Sequence, residues 1–319
     1  MPPQSSRSDR AQGAQRIVTL LASGTEIVCL LGLRDRLVGI SHECDYPPDV
    51  RGLPVLTEAR VDGTESPAEI DRRVRQHVSS GLSLYAIDND RMRQLQPDLI
   101  ITQDQCRVCA VSLEQVEAEV RGWLGSDVRI VSLNPVRLRE TLDDIDRVAL
   151  AAGVSEKGGE VRASLEARLD RLVEKTVPGR VKKPKVACLE WTDPPFLSGN
   201  WMPELVDISG GRSVGPAPGE HSPQVSWKDV ADAEPDVLLI LPCGFSLQRI
   251  LGEAPAVLKR REVRGIPAAR TGQIWALDGN AYFNRSGPRL VDSAEILGSV
   301  LHPELFGPPP SAAACRLRI

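Results

Sequence analysis

Apolar and polar positions follow two rhythms along this chain. Residues 16–20 form a short apolar run, 26–31 carry an apolar helical face, and 37–41 form a second apolar run, with Gly24 and Thr25 opening the helix and Gly32 closing it. Strand, tight helix and strand make a βαβ unit, which predicts a parallel sheet. Further strands are predicted at 98–102 and 128–132. The first follows a polar helix that stops before Pro97, because the residue ahead of a proline is pushed out of the helical region. The second follows a helix over 112–124.

From 135 to 177 the period changes to that of a helix. Leu138, Leu142, Ile145 and Val148 recur three or four residues apart, as do Leu165, Leu169 and Leu172. Gly158-Gly159 is the expected break, giving two helical segments. After a basic, proline-punctuated linker at 178–185 the alternation restarts, with strands at 186–190, 236–241 and 273–277 and helices near 203–208, 227–233 and 287–301. The fold class this predicts is α/β. Two Rossmann-like lobes with parallel sheets, 16–134 and 178–306, are joined by a long helical backbone, 135–177, with a ligand cleft between the lobes. Residues 1–15 and the tail 307–319 are expected to be disordered.

Composition narrows the function classes. With 41% hydrophobic and 26% charged residues, the chain is neither a disordered polymer nor a fibre. A net charge of −4 gives no general attraction to a phosphate backbone, so nucleic acid is not an expected partner. No run approaches the roughly 20 apolar residues that span a bilayer. Residues 1–15 lack the apolar segment of an export signal, which predicts a cytoplasmic protein, or a periplasmic one if the start is misassigned.

In open parallel sheets ligands bind beyond the carboxyl ends of the strands. The chemically distinctive loops fall there: 22–25, 42–48, 103–109, 190–196, 242–245 and 278–285. Tyr46, Trp191, Phe196, Trp201, Phe245, Tyr282 and Phe283 cluster near these loops although aromatics make up only 4% of the chain. As a set they suggest a pocket for a large, flat, partly apolar ligand. Ordinary core packing is the competing explanation for each one.

Seven cysteines, 29, 44, 106, 109, 188, 243 and 315, favour free thiols or ligands over a disulfide framework. Cys106 and Cys109 have the gap that lets two sulfurs face one metal, and Cys44 and Cys243 lie in loops of the same set, so zinc or an iron–sulfur cluster on these four is one candidate. A redox-active Cys106/Cys109 pair is another. Buried, inert thiols are the plain alternative, which suits Cys29 and Cys188.

Several segments carry a resemblance. Asp45-Tyr-Pro-Pro48, Pro97-Asp-Leu-Ile100, Pro194-Pro-Phe-Leu-Ser-Gly199, Pro223-Gln-Val-Ser226 followed by Pro235-Asp-Val237, and Gly287-Pro-Arg-Leu290 occur in order over about 16–302. Together they resemble the vitamin B12-binding component of bacterial ABC importers, of the helical-backbone class of periplasmic binding proteins. The resemblance implies cobalamin or another corrinoid as ligand. Asp45, Gln103, Asp104, Glu190, Asp193, Asn280, Asn284 and Arg285 would then hydrogen-bond its peripheral amides, although turn formation also explains the Asp and Asn residues. Cys44 lies in the same loop as His42, which would be an axial ligand to the cobalt or a hydrogen-bond tie to a neighbouring loop.

The family docks on its permease through an acidic residue on each lobe. Asp90 matches the first, but Lys228 stands at the second, with Asp229 beside it, which argues against docking on an ABC permease. No nucleophile elbow, phosphate-cradling glycine loop or zinc-protease pattern is present. A binding protein is therefore expected rather than an enzyme. Two alternatives remain: a metal- or thiol-dependent enzyme on the same scaffold, and a siderophore or metal-ion binder.

Overall fold

A computed structural model describes residues 13–80, 82–103, 111, 113–120, 128–177, 179 and 181–318. The chain divides into two compact units. The first comprises Met1–Asp62, Val74–Pro135 and Glu140–Ser164, and the second Gly63–Arg73, Val136–Arg139 and Leu165–Ile319.

In the first unit, β1 (Ile17–Thr19), α1 (Ala22–Leu30) and β2 (Leu37–Gly39) form the expected βαβ unit. Later come β3 (Thr57–Ala59), α2 (Pro67–Ser79), whose residues up to Arg73 belong to the second unit, β4 (Tyr85–Ile87), α3 (Asn89–Leu95), β5 (Leu99–Gln103), α4 (Leu113–Val120) and β6 (Arg129–Leu133). The sheet order is β2-β1-β5-β6 with every pairing parallel. All three residues of β1 and all five of β5 are buried, as strands covered on both faces must be. Helix α1 lies close against the sheet because Gly24 has no side chain, and a Cβ there would sit 2.9 Å from Ile101 Cγ2. Strands β3 and β4 pair antiparallel in a separate ribbon. At three residues each they carry too little pattern to be read from sequence.

The helical stretch also departs from expectation. It forms α5 (Leu138–Ala152) and α6 (Ser155–Lys175), but the break falls at Gly153, which has φ +74°, a conformation glycine adopts without strain. Gly158 and Gly159 lie inside α6. A Cβ at Gly158 would stand 2.5 Å from that of Ala149, so this glycine serves close packing of α6 on α5 rather than a kink. Helix α6 begins in the first unit and ends in the second. The expected disordered N-terminus is corrected in part: Ala14 is buried and its N–H donates to Ala152 O at 3.1 Å, while residues 1–12 lie outside the described residues.

The second unit contains β7 (Lys185–Thr192), β8 (Pro195–Leu197), α7 (Met202–Ile208), β9 (Arg212–Ser213), α8 (Trp227–Asp232), β10 (Val237–Ile240), α9 (Leu247–Leu258), α10 (Arg261–Gly265), α11 (Pro267–Arg270), β11 (Ile274–Leu277), α12 (Leu290–Leu301), α13 (Pro303–Phe306) and β12 (Ala314–Leu317). Its sheet runs β12-β11-β10-β7-β8, with β9 also on β7. The inner pairings are parallel, and the edge strands β8 and β12 are antiparallel. Successive residues of a strand face opposite sides. Val186 and Cys188 of β7 accordingly enter one core with Leu239, Leu277 and Leu297, while Ala187 and Leu189 enter a second with Leu238, Ile240 and Ile250. Within the tail 307–319, expected to be disordered, Ala314–Leu317 instead close the sheet edge: β12 pairs with β11 in the register Ile274↔Leu317. Its prolines mark only the turn that precedes the strand.

Candidate functional site

In the first unit the chain leaves β1 toward β2, yet β5 lies on the other side of β1. Connections diverge there, which is where an open parallel sheet leaves a crevice beyond its strand ends. Thr19 Oγ1 and Thr25 Oγ1 share a 2.5 Å hydrogen bond, and Thr25 Oγ1 donates to Cys44 Sγ at 2.9 Å. Cys44 is buried at 4% exposure and works as an acceptor that ties the 42–48 loop to α1. Gln103 is buried, Asp45 half-buried and Tyr46 exposed.

His42 is held by Thr57. Its backbone N–H donates to Thr57 Oγ1 at 3.0 Å, and Nδ1 lies 2.7 Å from the same oxygen. The Thr57 hydroxyl also donates to Ser41 Oγ at 3.0 Å, so one threonine ties the His42 backbone and ring to Ser41. Nε2 is closed off from solvent, 3.4 Å from Glu43 Oε1, and the ring packs 5.6 Å from that of Tyr85. This arrangement matches the loop-tie reading of His42 and gives an axial ligand no open approach.

The second unit has a corresponding crevice between β7 and β10, because β9 lies on the opposite side of β7. Glu190, near the carboxyl end of β7, accepts through Oε2 from Ser222 Oγ at 2.7 Å, and Ser222 Oγ accepts from Gly199 N–H at 2.9 Å. Burial pushes the Glu190 carboxyl above its ordinary range, partly countered by the Ser222 hydrogen bond. Cys243 N–H donates to Glu190 O at 3.1 Å. Trp191 and Phe245 meet edge to face at 5.2 Å, and the Arg249 guanidinium lies 3.4 Å over the Phe245 ring.

The β11 loop is held by its own polar groups. Asp278 Oδ1 accepts from Ala281 N–H and its Oδ2 from Leu247 N–H. Asn284 Nδ2 donates to Leu241 O at 2.8 Å, and Arg285 Nη2 donates to Asn280 Oδ1 at 3.0 Å. Asn284 thus ties this loop to the end of β10, and Asn280 is engaged with Arg285. Tyr282 is half-buried beneath Arg289. Asp193 is exposed and Phe196 half-buried.

Three predicted aromatics belong to the core. Phe283 is fully buried, Phe245 is 2% exposed, and Trp201 is 7% exposed with its indole N–H donating to Phe283 O at 2.9 Å. The proposed thiol site gains no support. Cys106 and Cys109, like Asp104, lie outside the described residues, and among the described residues no three His, Cys, Asp or Glu are grouped to hold a metal. Burial raises Cys29 to about 11 and Cys188 to about 12, which suits inert thiols. Of the expected docking acids, Asp90 is exposed in α3. In α8, Lys228 is ion-paired with Asp232 and Asp229 is engaged in the Ser226 capping box.

Sequence reasoning missed Thr57, Ser222 and Arg249, which position the predicted residues. The only signal for Arg249 was the amphipathic run 247–258, where an arginine reads as a solvated face. Among the described residues no helix is long and apolar enough to cross a membrane.

Comparison with known proteins places this geometry. A family model described as "Periplasmic binding protein" matches residues 17–281. The vitamin B12-binding protein of Vibrio cholerae is 25% identical over 285 residues, covering 88% of this chain and 87% of the relative. An uncharacterised ABC transporter substrate-binding lipoprotein of Bacillus subtilis is 22% identical over 297 residues, covering 92% and 81%. A periplasmic haem-binding protein of Pseudomonas aeruginosa shares the fold with a TM-score of 0.71 at 18% identity, covering 96% of this chain and 99% of that one.

Proposed function

The chain belongs to the periplasmic binding protein family, as a substrate-binding protein of the ABC-transporter type rather than an enzyme, and on that premise we propose that it binds cobalamin or another corrinoid. The ligand is held by loops at the carboxyl ends of the parallel strands. The observation that carries the reading is the Trp191–Phe245 aromatic corner beside Glu190, whose carboxylate has Ser222 as its only hydrogen-bond partner among the described residues. Among the described residues no cation pairs with Glu190. An acid without a cationic partner accepts N–H groups of a carboxamide rim, or donates to its carbonyls when protonated, but repels ionised carboxylates. A corrin rim carries carboxamides, and a haem carries two carboxylates.

Haem is the second reading, favoured by the haem-binding structural neighbour. Cyanocobalamin and hemin titrations, followed by visible absorbance and thermal unfolding, separate the two. Cyanocobalamin at one hundred times its Kd should stabilise the folded chain by about 2.7 kcal/mol. No spectral change and no stabilisation at ligand levels well above micromolar would refute the corrinoid reading, and a response to hemin alone would favour the second.

A further inference from the structure

Residues 63–73 belong to the second unit although strands of the first flank them in sequence. Arg249 Nη1 donates to Gly63 O, Arg249 Nη2 donates to Glu65 O at 2.5 Å, and Trp191 Nε1 donates to Pro67 O at 3.1 Å. Ile70 adds an apolar contact with the core that contains Phe245. The acceptors come from alternate residues, and each is a neutral amide carbonyl.

We propose that the Trp191–Phe245–Arg249 corner is a subsite for carboxamide oxygens, and that the chain's own segment 63–67 occupies it until an amide-rimmed ligand displaces it. This rests on the corrinoid reading and names the chemistry of its rim contacts. The donors are pre-oriented: Arg249 is stacked on Phe245, which fixes its fork, and Trp191 packs edge-on against the same ring. Within the segment Glu65 pairs with Arg73 at 2.7 Å, and Glu69 with Arg72 and Arg73. Three carbonyl hydrogen bonds, the buried Pro67 and the half-buried Ile70 hold the segment against the corner. A ligand bearing several carboxamides replaces those carbonyls one for one, leaving no buried donor unpaired.

Occupancy by the segment reduces apparent affinity by the fraction of molecules whose corner is open. Ile70→Ser loosens the segment and keeps every donor. Cyanocobalamin titration of this variant should give a Kd lower than the wild type by roughly three- to tenfold, with faster amide exchange of residues 64–70 in the wild-type complex than in the free chain. Arg249→Met, which loses donors to segment and ligand alike, should bind no more tightly than wild type. Thermal unfolding verifies that both variants are folded. A wild-type chain that binds cyanocobalamin while Ile70→Ser binds equally or less well would overturn the self-occupancy and leave the corrinoid reading standing, because the segment would then be a wall of the site. Absence of binding in all three chains would remove the corrinoid reading, and this inference with it.

Discussion

Asp144 sits in the middle of α5 with its side chain shut off from solvent. Burial pushes its carboxyl from 3.8 to about 7, against the pull of Arg147, whose Nη1 lies 2.6 Å from Oδ1. Asp143 and Glu140 on the same helix add to the rise. Oδ2 has no hydrogen-bond partner among the described residues, which is where the cost of ionisation falls. A group whose folded pKa exceeds its unfolded value stabilises fully below the unfolded value, and loses that contribution as pH rises through the folded one. Between pH 5 and 7 the wild type therefore loses up to about two pKa units of linkage, a ceiling of about 2.7 kcal/mol at 1.36 kcal/mol per unit. Relaxation and the half-exposed Arg147 reduce it, so about 1–2 kcal/mol is expected. Asp144→Asn removes the titration and keeps an acceptor for Arg147. Urea unfolding followed by far-UV circular dichroism at pH 5 and pH 8.5 should show the variant gaining that 1–2 kcal/mol on the wild type at the higher pH, with amide exchange locating the gain in α5. Parallel pH profiles for the two chains would refute the argument.

Two further substitutions test the packing. Gly279→Ala places a Cβ 2.3 Å from Pro242 O and 2.6 Å from Leu241 O, so backbone must move; a loss of about 3 kcal/mol should appear as a thermal midpoint about 6–12 °C lower, and an unchanged midpoint would contradict the crowding. Trp201→Phe strands the buried Phe283 carbonyl that the indole serves, so urea unfolding should show a loss of about 1–3 kcal/mol with cyanocobalamin affinity unchanged. Weakened affinity in a stably folded Trp201→Phe chain would put this residue back in the pocket.

Strands β1, β5, β7, β10 and β11 were legible because each is a buried apolar run, and α5, α7, α8 and α12 because their apolar spacing or start signals are local. The ribbon β3–β4, the two-residue β9 and the edge strand β12 were not. Such short strands draw their stability from a partner far along the chain, and their own residues carry little pattern. The same limit governed the site. The loops after the parallel strands could be named from the alternation of elements, and Glu190, Trp191 and Cys44 do lie in or beside them. Which aromatics face a ligand could not, because a ring in a loop has the same sequence signature whether it covers solvent-facing surface or, like Phe283, fills the core.

Local order of apolar and polar residues was enough to settle the α/β class, the parallel sheets, and the crevices where their connections diverge, since each depends on neighbours a few residues apart. Packing between distant segments settled the rest: Gly153 rather than Gly158 as the helix break, His42 tied to Thr57, and residues 63–67 seated on Arg249 and Trp191. Those outcomes turn on which polar groups must find partners once water is excluded, and the partners lie tens to nearly two hundred residues away in the chain.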